Sequence, residues 1–392
     1  MEMSPLALVD NGNRGAEAKQ EAFGEVIGEA IGEVIGFATQ GSGSDDENRL
    51  RELLSGLPAR MVPFDRGSKL GNVWRIARLM RRERPSAVVM EGTGIAGGLG
   101  LLLGSLLSRV PYIVSSGDAV GPFISSHYRL LGALFHLYEK LLYRRATGFI
   151  GWSPYLTGRA LSYGTRFAMT AAGWAPFVPG EAERRQSRQR IRERLGIPQE
   201  QLVVGIVGSL NWNGRAGYCY GYELVMALRE LERKDITALI VGDGSGMMRL
   251  AKLAEGHDNI RLIGRVPREE VPAYLSAMDL ASLPQSVDQV GSFRYTTKIS
   301  EYMAAGLPIL TGKLPMAYDL GGSGMLRLNG LKPWEPRYIE SLRERLRRLE
   351  PEELRRLRAE VPRESNVFNR EKQVRIVGEF VRDIVSEQTK EE

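Results

Sequence analysis

The residues whose types and spacing are best suited to chemistry lie in the stretch TTKISEYMAAGLPILT, residues 296–311. Thr297 can cap a helix that Lys298 opens, Gly306 ends it, and Pro308 begins a buried strand. The first N–H groups of a helix have no partner inside it and, with a lysine beside them, make a site for phosphate oxygens. Glu301 follows Lys298 by three positions and so stands on nearly the same face. A diphosphate held by Lys298 and the N–H groups would leave Glu301 beside the hydroxyls of an attached sugar, which a carboxylate accepts well. The alternative without function is an ion pair between Lys298 and Glu301 at a solvated helix start.

Such a site needs a rigid frame, and the pattern of the chain supplies one. In the first half, short apolar runs at 6–10, 34–39, 60–64, 87–90, 112–115, 148–151 and 167–170 alternate with helical-period segments. Those segments are 16–33, 46–55, 70–82, 97–107, 128–145 and 154–163. The second half repeats the alternation, with strands expected at 202–207, 237–241, 260–262, 280–283 and 308–311 and helices at 222–231, 247–254, 268–277 and 298–305. This predicts an α/β chain of two Rossmann-like doubly wound domains, with ligands in the cleft between their C-terminal strand ends. The divisions expected are 1–175, 176–365 and a C-terminal helix at 366–392; the first boundary falls where APFVPG gives way to the charged run 181–194. The tail from 336 to 388 is helical in pattern, and Val374, Val377, Val381, Ile384 and Val385 form a stripe that must pack on a folded domain, the first being a candidate.

The balance of 53 Lys+Arg against 47 Asp+Glu favours anionic partners such as nucleotides, phosphates or acidic lipid surfaces. No aromatic-basic RNA signature or recognition helix accompanies that charge, so nucleic acid is not expected as a partner. One cysteine, Cys219, excludes an intramolecular disulfide and agrees with a reducing compartment. His127, His136 and His257 have no metal-site spacing, and no metal ligand is expected. The first residues lack the basic and apolar blocks of a signal peptide, and the most apolar stretch, 95–107, is shorter than the roughly 20 residues that cross a bilayer. A cytoplasmic protein is the expectation. The segment 128–145 carries Leu130, Leu134, Leu137, Leu141 and Leu142 on one side, expected to face the core. The alternative is peripheral contact with the inner face of a membrane carrying a lipid-linked acceptor.

The string KISEYMAAGLPI, from Lys298, resembles the donor-site segment of the family 4-like glycosyltransferases, whose fold is GT-B. VGDGSG at 241–246, NIRLIGRVP at 259–267, EVPAYLSAMD at 270–279 and YEKLLYRRATGFIGWSPYL at 138–156 are similar to the same family, so the resemblance extends over most of the chain. It implies a retaining transfer of a sugar from a nucleoside diphosphate sugar, UDP-linked in preference to GDP-linked, to a hydroxyl of a glycan, lipid-linked or small-molecule acceptor. No cofactor or metal is implied, because cationic side chains and a helix start stabilise the departing diphosphate. By this resemblance Gly242 and Gly244 turn beside the donor, the backbone at Arg265 and Val266 meets the nucleobase, Thr297 and Lys298 hold phosphate, and Glu301 holds the ribose.

The departures from the family also carry expectations. Many relatives have two glutamates eight positions apart; Glu301 fits the second, but Phe293 stands at the first, leaving Asp288, Gln289 or the backbone of 290–292 to replace its contacts. Ser209 and Tyr220 stand where relatives often carry an arginine and a lysine, so Arg215 and Arg294 are expected to supply the charge. The loop 11–15, with Gly12 and Asn13, is either a plain turn or an approach to donor phosphate or acceptor. Asp118 occupies a position where relatives often carry an active-site histidine or acid, and either orients a substrate or caps a helix. Catalysis is thereby assigned to Asp118, Lys298 and Glu301. A sugar-nucleotide epimerase of the same fold and a non-catalytic sugar-nucleotide binding protein are the alternatives.

Overall fold

A computed structural model describes residues 31–320, 322, 324–362 and 367–391. The expected strand 6–10, the loop 11–15 with Gly12 and Asn13, and the helix 16–33 up to residue 30 lie outside the described residues. So do the side chains of His127 and Leu130.

The described residues build two six-stranded sheets. In the first, β1 (Val34–Ala38), β2 (Ala59–Met61), β3 (Ala87–Glu91), β4 (Tyr112–Ser116), β5 (Gly148–Gly151) and β6 (Phe167–Thr170) lie in the order β2-β1-β3-β4-β5-β6. In the second, β7 (Leu202–Val207), β8 (Ile236–Val241), β9 (Ile260–Gly264), β10 (Leu280–Leu283), β11 (Ile309–Gly312) and β12 (Met325–Leu328) lie in the order β12-β11-β10-β7-β8-β9. Every pairing is parallel. Runs such as VIGFA and ITALIV are buried throughout, and almost wholly apolar, because helices cover both faces of such a sheet. The strand order reverses between β1 and β3 in one sheet and between β7 and β10 in the other. A crevice opens at the C-terminal ends of strands at such a reversal, so each sheet provides one.

Several local expectations are corrected. The expected helix 128–145 is a helix from Arg129 to Arg145, with Tyr128 extended before it, and it is preceded by a helix the pattern did not announce, Val120–His127. The charged run at the expected domain boundary, to which the pattern assigned no element, is a helix, Glu181–Leu195, closed by Gly196 in the left-handed region. It is held by one residue that its composition hides. Arg192 is fully buried and donates to the carbonyls of Ala277, Pro198, Gln199 and Gln201, while its Nη2 lies 2.6 Å from Asp279. The segment 268–277 starts as a short 3-10 turn before the helix Val271–Ala277, and β12 is a strand the sequence pattern did not announce. The tail forms three helices, Pro336–Arg347, Pro351–Glu360 and Arg370–Glu391. The last crosses back to the first sheet, where Val377, Val381 and Ile384 pack with Val34, Leu50, Ile113 and Ile150. Among the described residues no helix is long and apolar enough to cross a membrane.

Candidate active site

The helix Thr297–Ala304 begins where the second sheet changes direction. Lys298 leans on Gly208, just after β7: a Cβ on that glycine would come within 2.8 Å of the lysine Cε and 3.1 Å of Nζ. Its ammonium sits 5.0 Å from the centre of the Tyr220 ring. Burial pulls the ammonium below the usual lysine range and pushes the Glu301 carboxyl up, each partly offset by the other's charge. The two interact through space, yet among the described residues they make no direct ion pair. The ion pair that would have accounted for both without a ligand is therefore not formed. Thr296, not Thr297, holds the cap position, because Thr296 is extended and Thr297 already begins the helix. The Thr296 hydroxyl is buried and has no hydrogen-bond partner among the described residues.

Three glycine loops meet beside this helix start. Gly242, after β8, has φ 139°, and a Cβ there would stand 1.8 Å from the Gly208 carbonyl oxygen. Only glycine lets these two loops touch. The Gly242 N–H donates to the Gly264 carbonyl at 2.8 Å, which draws in the end of β9. A Cβ on Gly244 would meet the backbone nitrogen of Asn211 at 2.6 Å. Val266 is half-buried against the second domain's core, whereas Arg265 is exposed. Arg215 lies in an exposed turn closed by its N–H on the Asn213 side chain, and it is not on the wall of the main cavity.

That cavity, about 1090 Å³, belongs mainly to the first domain and ends on Arg294, Tyr295, Thr296 and Thr297 of the second. Lys298 and Glu301 are not on its wall; Glu301 borders a smaller one of about 490 Å³ beside Arg268 and Pro176. At the floor of the main cavity, Glu91 ends β3 almost wholly buried. Its carboxylate takes Arg49 at 2.7 Å, the Ser115 hydroxyl at 2.8 Å and the Trp152 indole N–H at 3.1 Å. Asp46, at the start of the helix Asp45–Leu53, faces the same floor, its carboxyl pushed up to about 6 by burial and then by the charge of Glu91. These residues were missed in the sequence, although a charged residue ending the apolar run AVVME was a visible signal.

The two domains touch through charged and apolar contacts. Arg294 pairs with Asp118, which brings together two residues expected at the site from opposite domains. Arg268 pairs with Asp45 at 2.7 Å, and the Tyr155 hydroxyl meets Asp319. Phe293, at the position of the relatives' first glutamate, packs on the first domain's core beneath the Arg159 guanidinium, 5.3 Å from ring centre to Cζ. The buried Ser153 hydroxyl donates to its carbonyl. Asp288 is occupied in its own turn, accepting from the N–H groups of Val290 and Gly291. Cys219 is a packed core thiol raised to about 11 by burial. Among the described residues no group of three or more His, Cys, Asp or Glu is placed to hold a metal ion.

Comparison with known proteins agrees with this architecture. Residues 33–173 match the glycosyl transferase 4-like domain, and residues 201–331 match glycosyl transferases group 1. The chain is 28% identical over 293 residues to the 2-deoxystreptamine glucosyltransferase of Streptomyces kanamyceticus, covering 70% of this chain and 69% of that protein. It is 30% identical over 166 residues to the D-inositol 3-phosphate glycosyltransferase of Corynebacterium jeikeium, covering 38% and 36%. In three dimensions it is similar to Anabaena HepE, solved in complex with UDP and glucose, with a TM-score of 0.64, 14% identity, and coverage of 91% of this chain and 100% of that one. A sucrose-phosphate synthase from Thermosynechococcus elongatus gives a TM-score of 0.67 at 14% identity, covering 91% and 99%. Sequence, fold and cleft together place the chain in the group 1, family 4-like glycosyltransferases of the GT-B fold.

Proposed function

We propose that the enzyme performs a retaining, metal-independent transfer of a sugar from a nucleoside diphosphate sugar, UDP-linked in preference to GDP-linked, to a hydroxyl of a glycan, lipid-linked or small-molecule acceptor. The carrying observation is Lys298: a desolvated cation at a helix start, leaning on Gly208, with no carboxylate paired to it among the described residues. In this reading Lys298, the N–H groups of Thr297 and Lys298 and the unpartnered Thr296 hydroxyl receive the diphosphate. Negative charge grows on the leaving phosphate during transfer, and donors already aimed at it lower the barrier. Glu301 holds the ribose, and the loops of Gly242, Gly244 and Val266 border the nucleoside. Arg294 exchanges Asp118 for phosphate, which releases Asp118 to orient the reacting sugar or the acceptor hydroxyl. The bound UDP in the similar Anabaena protein supports the choice of base. Arg215 and Arg265, both exposed, take rim positions.

Calorimetric titration of UDP and GDP into wild type and Lys298→Ala tests this. Loss of a charge-assisted contact worth about 1.5–3 kcal/mol predicts affinity for the preferred nucleotide weaker by roughly 10- to 100-fold. Equal affinities in the two proteins would remove Lys298 from the phosphate site.

A further inference from the structure

We infer that the acceptor carries a hydrocarbon chain, and that the chain lies along the apolar side of the main cavity while the reacting hydroxyl meets its polar floor. This rests on the glycosyltransferase reading above and adds the acceptor class. One end of the cavity is polar and faces the second domain: Thr39, Asp46, Asp118 and Arg294 lie there. The apolar wall is Phe64, Val73, Ile95, Leu99, Phe123 and Phe135; the exposed Arg66 and Lys69 also line the cavity. A sugar ring is typically gripped by hydrogen bonds to its many hydroxyls; this wall offers almost none, whereas a buried methylene gains from every square ångström it covers.

The open end continues the same chemistry outward. Ile95, Leu99 and Phe123 are 46%, 43% and 38% exposed, so this wall runs into the surface. Phe135 sits one turn from Leu131 on the helix Arg129–Arg145, which makes Leu131 the outward continuation of the wall. Leu134, Leu137 and Leu141 extend that exposed stripe, correcting the expectation that this side faces the core; only Leu142 of the described leucines is fully buried. Exposed Lys140, Arg144 and Arg145 flank the stripe. Leucines bordered by cations fit the boundary of an anionic lipid layer, the environment from which a chain-bearing acceptor would enter.

Hexyl, octyl and decyl β-D-glucosides, kept below their micellar concentrations, supply the probe, titrated into the full chain with and without UDP. Each methylene buried in the groove should tighten binding roughly fourfold, so octyl should bind about 15-fold more tightly than hexyl. Leu99→Asp, and separately Leu99→Ser as a milder change at the same exposed position, should flatten that dependence. Affinity independent of chain length in wild type would overturn the inference, as would the same dependence in both variants, which would place the chain elsewhere on the protein. UDP titration of the same preparations separates the two readings. Chain-length dependence without nucleotide binding would leave the groove standing and the donor site refuted; nucleotide binding without it would do the reverse.

Discussion

Asp46 shows how one side chain carries the electrostatics of the cleft. Its carboxyl is raised to about 6 by burial and by Glu91, above the unfolded-state value of roughly 3.9. Since the folded state binds the proton more tightly, the protonated form stabilises the fold; that contribution is complete below about pH 4 and is lost as pH rises through about 6. Asp46→Asn keeps the shape and removes the charge. Its thermal midpoint should therefore exceed that of wild type at pH 7–8, and the gap should close toward pH 4. Parallel midpoints across that range would show that Asp46 ionises without strain.

At the scale of elements, the short turn Gly291–Phe293 joins the domains at the entrance to the helix Thr297–Ala304. Relatives use the position of Phe293 for a polar contact; here an aromatic ring is set into the opposite domain, with Ser153 holding its carbonyl and Arg159 over its face. The ring therefore positions the helix start relative to the first domain. Phe293→Ala should lower the thermal midpoint by a few degrees, consistent with losing about 1–2 kcal/mol from a half-buried ring, and should broaden the distribution of interdomain distances. Double electron resonance between spin labels on the two domains would measure the second effect, and an unchanged distribution would deny the turn its positioning role.

Across the whole molecule, residues far from the cleft hold the second domain together and tie the end of the chain to the first. The helix Glu181–Leu195 lies where the chain passes from one sheet to the other, and its Arg192 satisfies four carbonyls and one carboxylate at once. Removing one member of a buried pair strands the other, at a cost of about 3–5 kcal/mol. Arg358 also pairs with Asp279 but is about one-third exposed. Urea unfolding followed through the second domain should show Arg192→Met far less stable than wild type, while Arg358→Ala should lose about 1 kcal/mol or less. Comparable losses would mean that Asp279, shared also with Arg188, redistributes its partners. The last helix ties the chain's end to the first sheet through Val377, Val381 and Ile384, and Arg370 reaches Glu52 at 2.8 Å.

How much of this was legible in the sequence follows from the range of each interaction. Strands such as Gly148–Gly151 and Leu202–Val207 were readable to the residue, because burial on both faces writes an uninterrupted apolar run. The segment around Lys298 was readable because a helix start, a charge one residue in and a carboxylate one turn later are neighbours along the chain. Arg192 read only as one member of a charged run, since local composition cannot show that the Ala277 carbonyl and the Asp279 carboxylate, 85 and 87 residues away, will close over it. Phe293 read as a missing glutamate, and its partner, the first domain's core, lies some 140 residues back. Glu91, Asp46 and Asp118 share a floor only because strand order brings their loops to one edge. The sequence by itself determined the two doubly wound domains and the helix that opens at Thr297 with Lys298 in its first turn, both products of short-range periodicity. The tertiary structure alone decided which charges pair across the cleft and where the leucines of the helix Arg129–Arg145 face, because those depend on surfaces that exist only once both sheets have closed.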